Sequence, residues 1–279
     1  MSCLMPIPCW KGAKNENHRR PLVFSHKRDH SYEDDKLEIP CGKCLGCQGD
    51  KARAWAIRIY HEVTTNHQNC FITLTYDDEH MPEDGKISQE HYREFFKNLK
   101  AETGLKLRYF ACGEYGEKTR RPHYHAIIFG ADFLGGHYYR INDELYGNSL
   151  VDRVWGKGQV TIAPAETGSC FYVAGYVQKK VLDQDTFRLM TTKPAIGRNW
   201  LDKNIDDLIE CGHVVIEGRK MAIPPAYLKM YEEDLQEVKE KRAHMMRSIT
   251  PQKKWEHRQK ASARLINLQA QLNQKAEKL

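Results

Sequence analysis

Residues 121–130 read RPHYHAIIFG. The run from Ala126 to Phe129 is short and apolar and Gly130 closes it, so the stretch predicts a buried strand. Side chains alternate along a strand, which puts His123 and His125 on one face. Two imidazoles side by side on a rigid strand make half of a divalent-metal site. The plain alternative is a strand start with two solvated or hydrogen-bonded histidines, so the neighbouring sequence must decide.

Upstream, Cys70 to Tyr76 (CFITLTY) is rich in β-branched and aromatic residues and predicts a strand. Ser88 suits the N-cap of a helix whose inner side carries Tyr92, Phe95, Phe96 and Leu99. Leu107 to Cys112 is a second strand, and Glu114-Tyr115-Gly116-Glu117 opens the loop into the histidine strand, its expected antiparallel partner. Further upstream, Ala52, Trp55, Ala56, Ile59 and Val63 give one apolar stripe of a helix over about 48–66, with Lys51, Arg53 and Arg58 on its wet side. Residues 1–40 read as irregular.

Downstream, 131–167 reads as a glycine-rich aromatic loop with one strand at 159–163. Ser169 then caps a helix on which Tyr172 and Tyr176 lie one turn apart, Lys179 and Lys180 continue their face, and Val173, Val177 and Val181 anchor it to the sheet. Ile196 to Trp200 marks a turn and short element, and His213 to Ile216 a late strand. Leu228, Tyr231, Leu235 and Val238 mark one long helix; Pro251 interrupts, and a basic helix runs from about 252 onward.

The chain has 279 residues, 41% hydrophobic and 29% charged, which is the composition of a soluble globular protein. No uncharged apolar run approaches membrane-spanning length and no signal-peptide core opens the chain, so a cytosolic setting without membrane contact is expected. Of the net charge of +6, residues 241–279 contribute 10 Lys/Arg against 2 Glu, or +8, and the remainder −2. A basic tail on a nearly neutral body suits a nucleic-acid-binding arm, with Lys253 and Lys254 its expected contacts; a solvated helix is the plain alternative.

Cys41, Cys44 and Cys47 stand two residues apart with Gly42 and Gly46 between them. That spacing lets thiolates share one metal, and a structural Zn²⁺ is expected with Cys9 as the first choice for fourth ligand, then Cys3 or a nearby histidine. An iron–sulfur cluster is disfavoured because the usual later Cys-Pro is missing. A metal-free cysteine turn is the remaining alternative.

Jointly, His123, His125 and a carboxylate from Glu114, or failing it Glu117, suit Mg²⁺ or Mn²⁺ acting on a phosphate. Tyr172 or Tyr176 can then attack phosphorus, giving a nicked strand with its 5′ phosphate on the enzyme, and Lys179 or Lys180 helps the phenolate form or the leaving oxygen depart.

Here the sequence resembles a known family. RPHYHAIIFG is similar to the histidine–hydrophobic–histidine motif of HUH endonucleases, FITLTY (Phe71 to Tyr76) to their first strand motif, and YVAGYVQKK (Tyr172 to Lys180) to the two-tyrosine motif of rolling-circle initiators. PCGKCLGC, GEYGEKTRRPHYH, PAIGRNW and GRKMAIPPAYLKMY together resemble the replication initiation proteins of gokushovirus-type microviruses, small single-stranded DNA phages; the resemblance covers most of 40–232. It implies an α+β HUH fold, with a central, mainly antiparallel sheet carrying the histidine strand, flanking helices and a C-terminal helical extension. The expected organisation is a Cys-rich segment and helix at 1–66, an endonuclease core at 67–222 and a basic helical extension at 223–279. It further implies site-specific nicking and rejoining of single-stranded DNA, starting and ending rolling-circle replication through a covalent phosphotyrosine. Carried over by position, His123, His125 and Glu114 (second choice Glu117) are metal ligands, Tyr172 and Tyr176 nucleophiles, and Lys179 and Lys180 the basic end of the tyrosine motif. Arg120 and Arg121 are expected DNA contacts. Expected partners are phage origin DNA, single-stranded or supercoiled, and host helicase and polymerase in the host bacterial cytoplasm. An HUH plasmid initiator or relaxase, or a non-catalytic zinc protein that binds nucleic acid, are the alternatives.

Overall fold

The computed structural model describes residues 3–14, 16, 20–24, 36–116, 119–179 and 186–277. Glu117, Lys180 and Val181 lie outside these residues, as do the side chains of Val177, Lys179 and Lys254. Two compact units form: residues 1–50 with 249–278, and residues 51–248.

In the smaller unit, β1 (Ile7–Lys11), β2 (Leu22–Val23) and β3 (Lys36–Ile39) pair antiparallel in the order β2-β1-β3. This corrects the expectation of an irregular N-terminus. The strands are short and pair across long separations, as in Ile7 opposite Ile39, so no local period announces them.

Helix α1 (Leu45–Thr65) follows the cysteine knuckle. Strand β4 (Asn69–Tyr76) alternates strictly between half-buried and buried positions, as CFITLTY requires. Helix α2 (Gln89–Thr103) is capped by the Ser88 hydroxyl, which accepts from the His91 N–H, and ends at Gly104 in the left-handed region; Tyr92, Phe95, Phe96 and Leu99 are its buried residues. Strand β5 (Arg108–Tyr115) runs further than expected, so Glu114 and Tyr115 belong to the strand and not to the loop. Strand β6 (Pro122–Phe129) carries both histidines.

The stretch expected to be loop instead holds a hairpin, β7 (Tyr138–Arg140) and β8 (Tyr146–Asn148), and α3 (Ser149–Trp155). Asn148 caps α3 by accepting from the N–H groups of Leu150 and Val151. Strand β9 (Gly158–Pro164) leads into α4 (Thr167–Lys179), the tyrosine helix. Ser169 lies inside α4, two residues past its start; its hydroxyl donates to the Pro164 carbonyl and accepts from the Glu166 N–H. Strand β10 (Phe187–Met190) closes one edge of the sheet.

The order β10-β5-β6-β4-β9-β8-β7 is antiparallel at every pairing, so the chain is α+β with a large antiparallel sheet. The register decides what each face carries. His125 lies opposite Thr73 and Cys112, and His123 opposite Thr75 and Glu114. Directly paired residues share a face. One face thus presents Thr73, His123, His125 and Glu114, and continues into Phe110, Ile127 and Phe129, which pack with Cys170, Val173, Ala174 and Tyr176 of α4 and with Ala56 and Ile59 of α1. The other face buries Ile72, Leu74, Tyr124, Ala126 and Ile128 against α2 and α3.

After β10 come α5 (Arg198–Lys203), α6 (Ile205–Cys211), the hairpin β11 (Val214–Ile216) and β12 (Arg219–Met221), α7 (Pro225–Met230) and α8 (Gln236–Ser248). The expected single helix through Leu228, Tyr231, Leu235 and Val238 is therefore two helices. All four side chains still pack in one cluster with Ile57 and Leu208, so the spacing reported burial correctly and continuity wrongly. Helix α9 (Pro251–Glu277) is the basic helix, with Lys253 exposed on it.

Arg58 departs from its expected wet face. It is buried, donates to the Ile196 carbonyl at 3.0 Å and lies over the Trp55 ring at 4.1 Å. Beside it Glu62, fully buried, accepts from Arg108 and from the Gly197 N–H at 2.6 Å. Gly197 has φ +80, and a Cβ there would meet the Tyr227 hydroxyl at 2.1 Å, so only glycine fits.

Candidate active site

Strands β5 and β6 bring three donors together. Glu114 Oε1 lies 3.0 Å from His123 Nε2 and 3.1 Å from His125 Nε2, with Glu114 and His125 buried. The far nitrogen of each ring is also engaged: His123 Nδ1 lies 3.1 Å from the Arg121 carbonyl, and His125 Nδ1 lies 2.9 Å from Thr73 Oγ1. A carbonyl can only accept, so His123 carries its proton on Nδ1 and turns the Nε2 lone pair towards Glu114. A lone pair facing a carboxylate is repulsive unless positive charge lies between them. Two imidazole nitrogens and one carboxylate oxygen within 4.8 Å of one another, each ring oriented from behind, fit a divalent cation. Glu114 fills the carboxylate role expected of it, and Glu117 lies outside the described residues.

Helix α4 is held over the same spot. Cys170, Val173 and Ala174 bury against the sheet, and this sets the height of the two phenols. The Tyr176 ring stacks on His125 with centroids 5.3 Å apart; Tyr172 approaches the same ring edge-on at 5.5 Å and Phe71 at 5.9 Å. The tyrosine rings are 4.9 Å from each other. They differ in environment: Tyr172 is 51% exposed, Tyr176 only 8%. Burial pushes the Tyr176 phenol far above its ordinary value, and its hydrogen bonds to Tyr172 and to the charged Glu114 push the same way. Gly175, between them, has open space where a Cβ would go, so no close approach demands glycine there.

The expected DNA contacts fare unevenly. Arg121 is committed to the fold, donating to the Tyr76 carbonyl at 2.8 Å and pairing with Asp78. Arg120 is exposed, has φ +53 and lies over the Tyr115 ring at 4.7 Å. Thr73 and Phe71 were not singled out from sequence, although alternation along FITLTY puts both on the histidine face.

The cysteines form a second cluster. Cys3, Cys41, Cys44 and Cys47 bring their sulfurs within 4.8 Å of one another. The fourth thiol is Cys3 and not Cys9, which is buried within β1. N–H groups of Cys44 and Lys43 lower the Cys41 thiol to about 6, while burial raises Cys47 to about 12.

Against this geometry, a family model described as replication-associated protein ORF2 matches residues 69–181, which hold the histidines, Glu114 and both tyrosines. Replication-associated protein VP4 of Bdellovibrio phage phiMH2K is 33% identical over 253 residues, covering 84% of this chain and 78% of its own. The chain belongs to the replication-associated proteins of microviruses. Replication-associated protein ORF2 of Spiroplasma virus 4 is 27% identical, covering 87% of this chain and 86% of its own. Replication-associated protein ORF4 of Chlamydia phage 1 is 28% identical over 70% of this chain and 54% of its own length, so this replication-associated protein spans about half of that relative. No solved structure matches the chain. Membership supports a role in phage genome replication. Among the described residues no helix is long and apolar enough to cross a membrane.

Proposed function

We propose that this replication-associated protein is an HUH-type endonuclease. It cuts one strand of the phage origin through a tyrosine and later rejoins it, starting and ending rolling-circle replication. The observation that carries the reading is the meeting of both phenol rings with the Glu114–His123–His125 donor set at His125.

In the cutting step the Tyr172 oxygen attacks phosphorus, the bond from phosphorus to the 3′ oxygen breaks, and the strand leaves with a 3′-hydroxyl. The phenol proton is lost and the leaving oxygen gains one, so charge balances, and the 5′ phosphate remains esterified to tyrosine. Tyr172 takes this first role because its side chain is open to solvent and to a strand. Tyr176, buried beneath it, is the second nucleophile, used once the first ester is in place and the helix face has opened. Lys179 and Lys180, one turn further on, protonate the leaving oxygen. A Mg²⁺ or Mn²⁺ ion held by His123, His125 and Glu114 would polarise the phosphodiester and spread the charge of its transition state. Thr73 and the Arg121 carbonyl fix the ring orientations on which that binding depends.

The core of this activity is proposed for residues 67–222, with the Cys-rich segment and helix at 1–66 preceding it and the basic extension at 223–279 contacting phosphates. The setting is the host bacterial cytoplasm, with host helicase and polymerase supplying unwinding and synthesis. Incubation with Mn²⁺ and a labelled single-stranded origin oligonucleotide, followed by a denaturing gel, tests the reading. A covalent adduct that disappears in the Tyr172→Phe/Tyr176→Phe double variant is expected. Binding without cleavage under any divalent metal would overturn it in favour of a non-catalytic nucleic-acid-binding protein.

A further inference from the structure

The cysteine cluster lies outside the chemistry proposed above, and its geometry is specific. Strand β1 runs antiparallel to β3, with Ile7 opposite Ile39 and Cys9 opposite Leu37. The ladder therefore carries the chain preceding Ile7 and the chain following Ile39 to the same end, where Cys3 and Cys41 meet: the Cys41 N–H donates to Cys3 Sγ at 3.3 Å. Cys9 sits up the ladder, its partner Leu37 four residues before Cys41, which is about 13 Å of strand. After Cys41 the chain turns at Gly42, φ +75, and the Cys44 N–H donates back to Cys41 Sγ at 3.4 Å. Gln48 clamps the turn by donating to the Gly42 carbonyl at 2.7 Å. Cys47, in the first turn of α1, completes the set.

Cys41 and Cys47 sulfurs are 3.9 Å apart, as are those of Cys44 and Cys3. A disulfide needs about 2.05 Å, so neither pair is bonded. A zinc ion about 2.3 Å from four thiolates forms a tetrahedron with edges of about 3.8 Å, so these spacings are those of sulfurs around one ion. A multi-iron cluster lies between its thiolates and would hold them further apart.

We propose that Cys3, Cys41, Cys44 and Cys47 bind one structural Zn²⁺, which fastens the chain around residue 3 to the N-terminal turn of α1 and locks the β1–β3 ladder. Binding takes four thiolates, releases the protons of those that were thiols and involves no redox change. The N–H donors to sulfur stabilise the charge that remains on the site. The ion's role is to hold together a small unit whose strands are too short to stand alone.

The test uses the full chain, purified under reducing conditions, with metal content measured by mass spectrometry. One zinc per chain is expected, and it should persist in a His123→Ala/His125→Ala variant, which removes the other donor cluster. Replacement by Co²⁺ should give the intense near-ultraviolet thiolate charge-transfer band and visible absorption of a tetrahedral sulfur site. Cys3→Ser should weaken zinc binding by at least about a hundredfold, and Cys9→Ser should leave it unchanged. If Cys3→Ser does not fold, the Co²⁺ spectrum of the unmutated chain still decides. A chain that takes up no zinc, a Co²⁺ form without the sulfur band, a disulfide among the four in freshly reduced protein, or loss of zinc in Cys9→Ser in place of Cys3→Ser would each overturn the proposal.

Discussion

Replacing Glu114 by Gln keeps the size and shape of the side chain and removes its charge. Glu114 Oε1 lies 3.0 and 3.1 Å from the two histidine nitrogens, and the side chain is buried, so solvent screens it little. At an effective dielectric of about 20, two unit charges about 3 Å apart interact by roughly 5.5 kcal/mol. The amide oxygen of Gln keeps part of that attraction. Losing half of it is about 2.7 kcal/mol, or roughly a hundredfold in an equilibrium constant. Mn²⁺ binding to Glu114→Gln, followed by the electron spin resonance signal of the free ion, should therefore weaken by about a hundredfold or more. The Mn²⁺ concentration that supports half-maximal oligonucleotide cleavage should move by the same factor, with partial recovery at high Mn²⁺. The melting temperature serves as a control for folding. Unchanged Mn²⁺ affinity in a folded variant, or cleavage with an unshifted Mn²⁺ dependence, would refute a ligand role for Glu114.

Three other outcomes are expected. Tyr176→Phe should retain first-strand cleavage and lose transfer of a second strand, whereas Tyr172→Phe should lose the first adduct; equal residual cleavage in both, read on a denaturing gel, would contradict the division of roles drawn from their exposure. Arg108→Met leaves Glu62 with a buried charge and without its Arg108 partner, and should cost about 3–5 kcal/mol in urea unfolding. His61 is buried, stacks on Trp200 with centroids 3.4 Å apart, and faces the Tyr227 hydroxyl at 3.1 Å; burial lowers its pKa to about 3. The unfolded chain takes up this proton near the ordinary value of 6.5 and the folded chain does not, so stability is intact above that pH and falls as pH drops from about 6.5 towards 3. The slope from this group reaches about 1.4 kcal/mol per pH unit, and a pH series of unfolding midpoints should be flatter in His61→Phe.

Much of the site was legible because it lies on regular patterns within single elements. His123 and His125 share a face by alternation alone, and the one-turn spacing of Tyr172 and Tyr176 puts both phenols on one side of α4. That Glu114 belongs to strand β5 followed only from the pairing register, a property of two segments that neither displays by itself. The same holds for Cys3, which joins residues 41–47 only through the β1–β3 ladder. Arg58 and Glu62 were misread or missed because buried charges look in sequence like any charged helix surface; their partners, Ile196, Gly197 and Arg108, come from distant stretches. The hairpin and helix of 138–155 were hidden by glycines and polar residues, although Asn148 followed by an apolar run is a cap signal that could have disclosed α3.

The central claim is that a phenol on α4 becomes bonded to DNA phosphorus beside the histidine strand. Digesting the adduct formed with the origin oligonucleotide and sequencing the modified peptide by mass spectrometry tests it most directly. A 5′-phosphonucleotide carried by Tyr172 is predicted for the first cut. Cleavage that leaves no nucleotide on the protein, or one carried by a residue outside α4, would contradict it.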